Sequence, residues 1–232
     1  MENQTSLFTK IVSIFWEPGK TFKAISEKVN IVDIIIPILL LTIVSWISLP
    51  YITPIALKEQ KAKIEQSEQF ANMPEEQKEV MRERMESGGK IGGYIGAPIT
   101  ILLSTVLLAL VLWFVGNFLL GGDRKFMEMW GVAAYGSLID LVASAVKIPL
   151  MVQKGSMKVY TSIAIFMEES ATFLFRFMRS LDIFSLWKVV VLSVGLAILY
   201  KKKMSTTLPI MIILWLIYCL GAATLAGLNP FG

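Results

Sequence analysis

The uncharged stretch at residues 91–120 limits what this chain can fold into more than any other feature. A bilayer core about 30 Å thick is crossed by a helix of about 20 mainly apolar residues, so this stretch is long enough to span it. The composition agrees, since 17% of the residues are charged and 55% are hydrophobic, whereas a typical soluble domain has about 25% charged residues. We therefore expect the chain to reside in a membrane.

Apolar runs separated by polar connections predict five membrane-spanning helices. They cover about residues 31–51, 94–120, 129–152, 181–200 and 208–228. Pro50 and Pro54 predict the exit from the first span, because proline lacks a backbone donor. The predicted fold class is an all-α polytopic membrane bundle, in which residues 31–232 form one five-span domain.

Three amphipathic or polar regions accompany these spans. Residues 1–30 predict an interfacial helical segment, broken at Pro18-Gly19, with an apolar stripe at Phe22, Ile25 and Val29. Its cations are expected to face water: Lys10, Lys20, Lys23 and Lys28. Residues 58–90 carry seven basic and eight acidic side chains. They predict a polar excursion, built as a helical hairpin or as two extensions of the neighbouring spans, and whether it is ordered without a partner is left open. Residues 157–180 are too charged to span and predict one interfacial helix.

The residue inventory argues against most chemistry. The chain has no histidine and a single cysteine, Cys219, so it lacks the residues for an internal disulfide, a serine–histidine pair or an H-E-x-x-H zinc site. We expect no enzyme activity, no catalytic residues, no metal and no cofactor. The net charge of +4 arises from cations at the ends of apolar runs, where they can face lipid headgroups. Nucleic acid is therefore not an expected partner.

Orientation follows from the short loops. Five spans place the two termini on opposite sides of the membrane, and the positive-inside rule gives most weight to cations close to span ends. Arg124-Lys125 and Lys201-Lys202-Lys203 lie in such loops. They predict a cytoplasmic N-terminus and an external C-terminus.

Four charged residues in or next to the third and fourth spans are the candidate site. A charge at the bilayer centre costs about 2.5 to 3.5 kcal/mol on insertion scales, so partners are expected. With the third span running outward and the fourth inward, depth predicts that Asp140 pairs with Lys188 and that Lys147 pairs with Asp182. The pairs are interpreted as contacts that hold two helices together, and a substrate or proton path and snorkelling remain open alternatives.

Three segments of the chain resemble the Yip-domain family, membrane proteins named for interaction with Ypt/Rab GTPases. These are residues 15–25 (FWEPGKTFKAI), residues 119–135 with their Gly-Gly turn and Tyr135, and residues 181–187 (LDIFSLW) followed by Gly195. The positions that match the family pattern are Pro18, Phe22, Gly121, Gly122, Tyr135, Asp182, Trp187 and Gly195. The chain departs from it at Ile139-Asp140, where the family often has proline.

The resemblance implies a function as well as a fold. About 30 residues precede the first span, similar to the prokaryotic branch of the family, so a bacterial or archaeal cytoplasmic membrane is expected and Rab binding is not. The family implies a membrane-embedded scaffold or adaptor without an active site. Its expected partners are membrane lipids, other membrane proteins and a second copy of the chain. The alternative is a small transporter or channel subunit with a polar path near Asp140 and Lys188.

Overall fold

The structure, a computed structural model, describes residues 6–228, apart from the side chains of residues 68, 69, 86 and 89–91. Its helices, in chain order, are α1 (Leu7–Ser13), α2 (Pro18–Glu27), α3 (Ile31–Glu65), α4 (Glu68–Ala71), α5 (Glu75–Phe114), α6 (Phe126–Gly136), α7 (Ile139–Lys154), α8 (Phe173–Ser180), α9 (Ile183–Leu199) and α10 (Met204–Leu228). A π-helical turn, Val115–Leu119, continues α5, and a 3₁₀ turn, Ile163–Phe166, lies between α7 and α8.

The predicted all-α membrane bundle is confirmed. Four helical segments are long and apolar enough to cross a bilayer: Ile31–Glu65, Gly92–Leu119, Phe126–Lys154 and Met204–Leu228. The segment Phe126–Lys154 combines α6 and α7, which a turn at residues 137–138 joins. The apolar helix α9 is shorter, at 17 residues, which is about 26 Å of helix. A total of five spans therefore stays a prediction.

The polar excursion consists of helical extensions of its neighbours, one of the two predicted forms. Helix α3 continues through Pro37, Pro50 and Pro54 to Glu65, so the later prolines do not interrupt the helix, and the exit of the first span at Pro50 and Pro54 stays a prediction. Membrane helices tolerate proline because neighbouring groups satisfy the freed carbonyls. Short helix α4 links α3 to α5, which begins at Glu75.

The N-terminal helices pack into the bundle. Phe22 and Ile25 of the apolar stripe are buried in the bundle, and Ile14 of the preceding turn is buried too. Trp16 remains 73% exposed, at a position suited to the headgroup layer. The expectation that Lys10 faces water was wrong, because this side chain is turned into the bundle.

Small residues allow the central helices α2, α6 and α9 to approach closely. A Cβ added to Gly195 would lie 2.6 Å from Val132 and 3.3 Å from Phe22. A Cβ added to Gly136 would lie 2.4 Å from Leu192. Close backbone approach at glycine is a common basis of helix packing in membranes, where burial of apolar surface gives little driving force.

Residues 157–180 do not form the single interfacial helix that their composition predicts. A 3₁₀ turn and α8 occupy parts of the segment. Residue Ser162 forms an isolated antiparallel bridge with Asp182, and Ile183 donates its N–H to the Thr161 carbonyl at 3.1 Å. The segment is therefore attached to the start of α9, and this attachment competes with helix formation.

Candidate functional site

The structure brings Asp140 and Lys188 together. Lys188 Nζ of α9 lies 2.7 Å from Asp140 Oδ2 of α7, in the combination that their depths predict. Helices α7 and α9 run in opposite directions past this contact, and Asp140 lies in the first turn of α7, where a carboxylate also interacts favourably with the helix dipole. The pair links two helices of the predicted membrane domain, and its side chains stay partly exposed, 23% for Lys188 and 47% for Asp140.

The second predicted combination is also adjacent. Lys147 Nζ lies 2.7 Å from Asp182 Oδ2, and the ammonium is 5.8 Å from the ring centroid of Phe184, within reach of a cation–π interaction. Asp182 is the N-cap of α9, where it accepts from the N–H groups of Phe184 at 3.0 Å and Ser185 at 3.2 Å. The same carboxylate also accepts a hydrogen bond from Thr161.

Two cavities meet at these pairs. One of about 430 Å³ lies between α3, α5 and α7. The other, of about 600 Å³, lies against α8, α10 and the segment after α7. Asp140, Ala143, Lys147 and Met157 contribute to the walls of both. The charged groups of α7 thus separate two spaces, each within the usual size range of small-ligand sites.

A third ion pair, which the sequence analysis missed, joins the N-terminal segment to the first span. Lys10 Nζ lies 2.6 Å from Asp33 Oδ1, and the two side chains are 11% and 2% exposed. Tyr135 donates its hydroxyl to the same oxygen at 3.2 Å, and the Asn30 N–H donates to Asp33 Oδ2 at 3.0 Å. We call Lys10, Asp33 and Tyr135 the N-terminal triad. An acidic residue inside an apolar run was the available signal for it.

Polar side chains between α1 and α2 extend the hydrogen-bond network of the N-terminal triad. The Thr21 hydroxyl donates to the Lys10 carbonyl at 2.8 Å and lies 2.9 Å from the Ser13 hydroxyl. All three side chains are buried. Their mutual hydrogen bonds satisfy groups that would otherwise cost free energy in an apolar interior.

The predicted glycine turn holds a tyrosine from the end of α9. Gly121 has φ +66°, a backbone conformation that favours glycine. A Cβ on Gly116 would lie 2.0 Å from the ring of Tyr200, and one on Gly122 would lie 2.1 Å from it. The ring therefore packs directly against the backbone at these two glycines. The Tyr200 hydroxyl donates to Asn117 Oδ1 at 2.8 Å. The partner Tyr200 was not predicted from the sequence.

Arg124 ties the same turn to α9 and α6. Its Nε donates to the Leu199 carbonyl at 2.9 Å, and its guanidinium forms an ion pair with Glu128 at 2.9 Å. Of the other family-like positions, Pro18 starts α2, and Trp187 packs partly buried against the core. These positions therefore serve helix starts and helix contacts.

The described residues contain no group of three or more His, Cys, Asp or Glu side chains that could hold a metal ion. Each charged side chain of the two intramembrane pairs is engaged by an opposite charge. Chemically, the arrangement can join helices or provide polar contacts to a bound solute.

Comparison with protein families gives one match. The model of the Yip1 domain matches residues 12–226, which is nearly the whole chain. No curated protein matches the chain, and no solved structure does. The matched range includes both intramembrane pairs and begins two residues after Lys10.

Proposed function

Since the chain belongs to the Yip1 domain family, we propose that it is a non-enzymatic membrane scaffold that binds other membrane proteins or organises the surrounding membrane. The family resemblance favours a role in assembly. Its described side chains form internal ion pairs and helix contacts, which suits a protein whose task is to present a surface.

The helical extension carries the proposal. Between α3, α4 and α5 lies a groove of about 470 Å³ with several flexible apolar side chains in its walls: Ile64, Phe70, Met73, Met81 and Met157. Methionine adapts to partners of differing shape, which is why it is common at binding surfaces. We call this surface the methionine groove.

The base of the extension is held in place. Glu59 Oε1 accepts from the Ser156 hydroxyl at 2.5 Å and from the Met157 N–H at 2.9 Å. These contacts join the extension of α3 to the segment after α7. A partner bound in the groove would therefore be held rigidly against the membrane domain.

Site-specific photo-crosslinking in the native membrane tests the scaffold role. A photoreactive residue at Met81 should capture a discrete membrane protein. The same residue at Leu107, which is 62% exposed on the apolar part of α5, should react with lipid and serves as the control. The captured band should disappear when Met73→Glu places a charge in the groove. Identical products at both positions, or a band that survives Met73→Glu in folded protein, would contradict the proposal.

A transport role is the second candidate. It is favoured by the two cavities that share Asp140 and Lys147. Purified protein in liposomes tests this role by its solute flux. The role is supported if Asp140→Asn abolishes the flux and the exposed substitution Lys202→Gln leaves it unchanged. Protein that releases no solute above the rate of empty liposomes would refute it.

We also propose a cytoplasmic N-terminus and a bacterial or archaeal cytoplasmic membrane. The side chains of Lys125, Lys201, Lys202 and Lys203 are exposed, as the positive-inside rule requires for cytoplasmic loops. A membrane-impermeant maleimide applied to intact cells should label Lys158→Cys and leave Lys203→Cys unlabelled. The opposite pattern would reverse the orientation. Cys219 is buried and adds little background.

A further inference from the structure

The larger cavity lies at the end of the bundle far from the N-terminal helices. Glu59 in its wall and Asp33 of the N-terminal triad are 26 positions apart on one helix, which is about 39 Å along the axis. That separation exceeds the thickness of a bilayer core. The outer part of the cavity, at Lys158 and Arg179, therefore reaches the depth of lipid headgroups.

Cations outnumber acids in the wall of this cavity. The wall contains four cations, Lys63, Lys147, Lys158 and Arg179, and three acids, Glu59, Asp140 and Asp182. Asp182 is the most fully occupied of these acids. Asp182 accepts four hydrogen bonds, two on each oxygen, from Lys147, Thr161, Phe184 and Ser185, which uses its full acceptor capacity.

The unused hydrogen-bonding capacity of the cavity belongs mainly to donors. Arg179 is exposed and makes no hydrogen bond or ion pair with any residue that the structure describes, so all five of its N–H donors are available. Lys158 pairs with Glu169, and this hydrogen bond raises the pKa of Lys158, so the ammonium stays charged. A lysine has three donors and one partner leaves others for a ligand.

Tyr160 adds a further donor to this wall. Its side chain lines the cavity, and its hydroxyl is buried without a partner among the described residues. The remaining wall near α10 is less polar, with Tyr218 and Ala222. A cationic outer part beside a less polar side that faces α10 is the pattern that an amphiphile with an anionic head would fit.

We infer that this cavity binds a phosphate group, carried by an anionic phospholipid or by a soluble phosphate, through Arg179 and Lys158. The planar guanidinium matches the geometry of phosphate oxygens and can bind two of them at once. The cavity of about 600 Å³ is large enough for a headgroup. The cavity shares Glu59, Lys63 and Met157 with the methionine groove, whereas Arg179 and Lys158 line the cavity and not the groove.

Binding can be measured with purified full-length protein in a neutral detergent. Its melting temperature is followed while short-chain phosphatidylglycerol, short-chain phosphatidylcholine or inorganic phosphate is added, since a ligand that binds the folded state raises this temperature. We expect phosphatidylglycerol or inorganic phosphate to raise it and phosphatidylcholine to have a smaller effect. Stabilisation by phosphatidylglycerol alone identifies a lipid site, and stabilisation by inorganic phosphate alone identifies a soluble ligand.

Two variants locate the site. Arg179→Gln and Lys158→Gln should each raise the half-saturating concentration about tenfold, the effect of one charge-assisted hydrogen bond. Arg84→Gln, which removes an exposed arginine from the α5 extension, is the matched control and should leave it unchanged. Both Arg179 and Lys158 have substantial solvent exposure, so melting without ligand should stay near that of the wild type.

Two results would overturn the inference. One is equal stabilisation by phosphatidylglycerol and phosphatidylcholine with no response to inorganic phosphate. The other is a rise in melting temperature with phosphatidylglycerol or inorganic phosphate that is as strong in Arg179→Gln and Lys158→Gln as it is in Arg84→Gln. Loss of the methionine-groove crosslink would not affect either measurement, so the scaffold proposal and the phosphate site can fail independently.

Discussion

Replacing Lys10 by methionine should destabilise the protein strongly, although Lys10 lies in a short helix next to the chain's N-terminal end. The change keeps an unbranched side chain and removes the ammonium that faces Asp33 at 2.6 Å. The carboxylate would keep only the Tyr135 hydroxyl and the Asn30 N–H as donors. Since the Asp33 side chain is 2% exposed, water cannot replace the lost partner without a structural change.

The magnitude follows from the burial of both charges. Breaking a buried pair by removing one partner costs about 3 to 5 kcal/mol, because the other charge stays buried and uncompensated. Asp33→Asn should cost a similar amount, since it leaves the Lys10 ammonium in the same position. The double variant removes both charges and should cost less than either single change.

The control is Lys20→Met, which removes an exposed lysine from α2 and should change stability by less than about 0.5 kcal/mol. Free energies of unfolding can be measured by titrating the protein in mixed micelles with a denaturing detergent and following tryptophan fluorescence. If Lys10→Met costs no more than Lys20→Met, or if the double variant costs the sum of the singles, the N-terminal triad is not a coupled buried pair.

Two further sets of substitutions test the helix contacts. Asp140→Lys and Lys188→Asp should each lower the yield of folded protein, because an unpaired charge costs about 2.5 to 3.5 kcal/mol. Their combination should restore the yield. A double variant with a yield no better than the single variants would show that the 2.7 Å contact does not hold the helices together. Gly116→Ala places a Cβ 2.0 Å from the Tyr200 ring and should cost about 1 to 3 kcal/mol of stability. The control Gly96→Ala has nothing within 4 Å of the new Cβ and should stabilise α5 by about 0.5 to 1 kcal/mol. Equal melting temperatures for the two variants would contradict the packing of Tyr200 against Gly116.

The contacts of Asp140 and Asp182 could be anticipated because they depend on depth. In a pair of antiparallel helices, residue number converts directly to height at 1.5 Å per residue. A charge inside an apolar run also has few stable options besides an opposite charge at the same height. These two rules suffice to predict the combinations Asp140 with Lys188 and Lys147 with Asp182, whose charged atoms lie 2.7 Å apart in both cases.

The N-terminal triad escaped the same reasoning for a physical reason. Asp33 lies in the first turn of α3, where an acidic side chain is common because it interacts with free N–H groups. Its partner Lys10 lies in a segment whose cations were assigned to water on the basis of amphipathicity. The Lys10 side chain faces inward because it shares a helix face with Ile14, one turn later, and Ile14 is buried.

The sequence left open whether residues 58–90 extend the neighbouring helices, and it did not predict the form of residues 157–180. Proline usually ends a helix in water, but α3 passes Pro50 and Pro54, as membrane helices can when neighbouring groups satisfy the freed carbonyls. The bridge between Ser162 and Asp182 depends on a residue that lies twenty positions further on. Local propensity does not include such a contact.

The sequence alone determined the solvent, the helical class and the depth of the intramembrane charges, since long uncharged runs such as residues 91–120 leave few alternatives. Only the tertiary structure decided which helices are neighbours apart from α7 and α9, that α1 and α2 enter the bundle, and that Tyr200 lies on Gly116 and Gly122. The reason is that an apolar side chain is as well placed against lipid as against another helix. Hydropathy therefore determines how deep a residue lies, and shape and polar contacts determine what lies beside it.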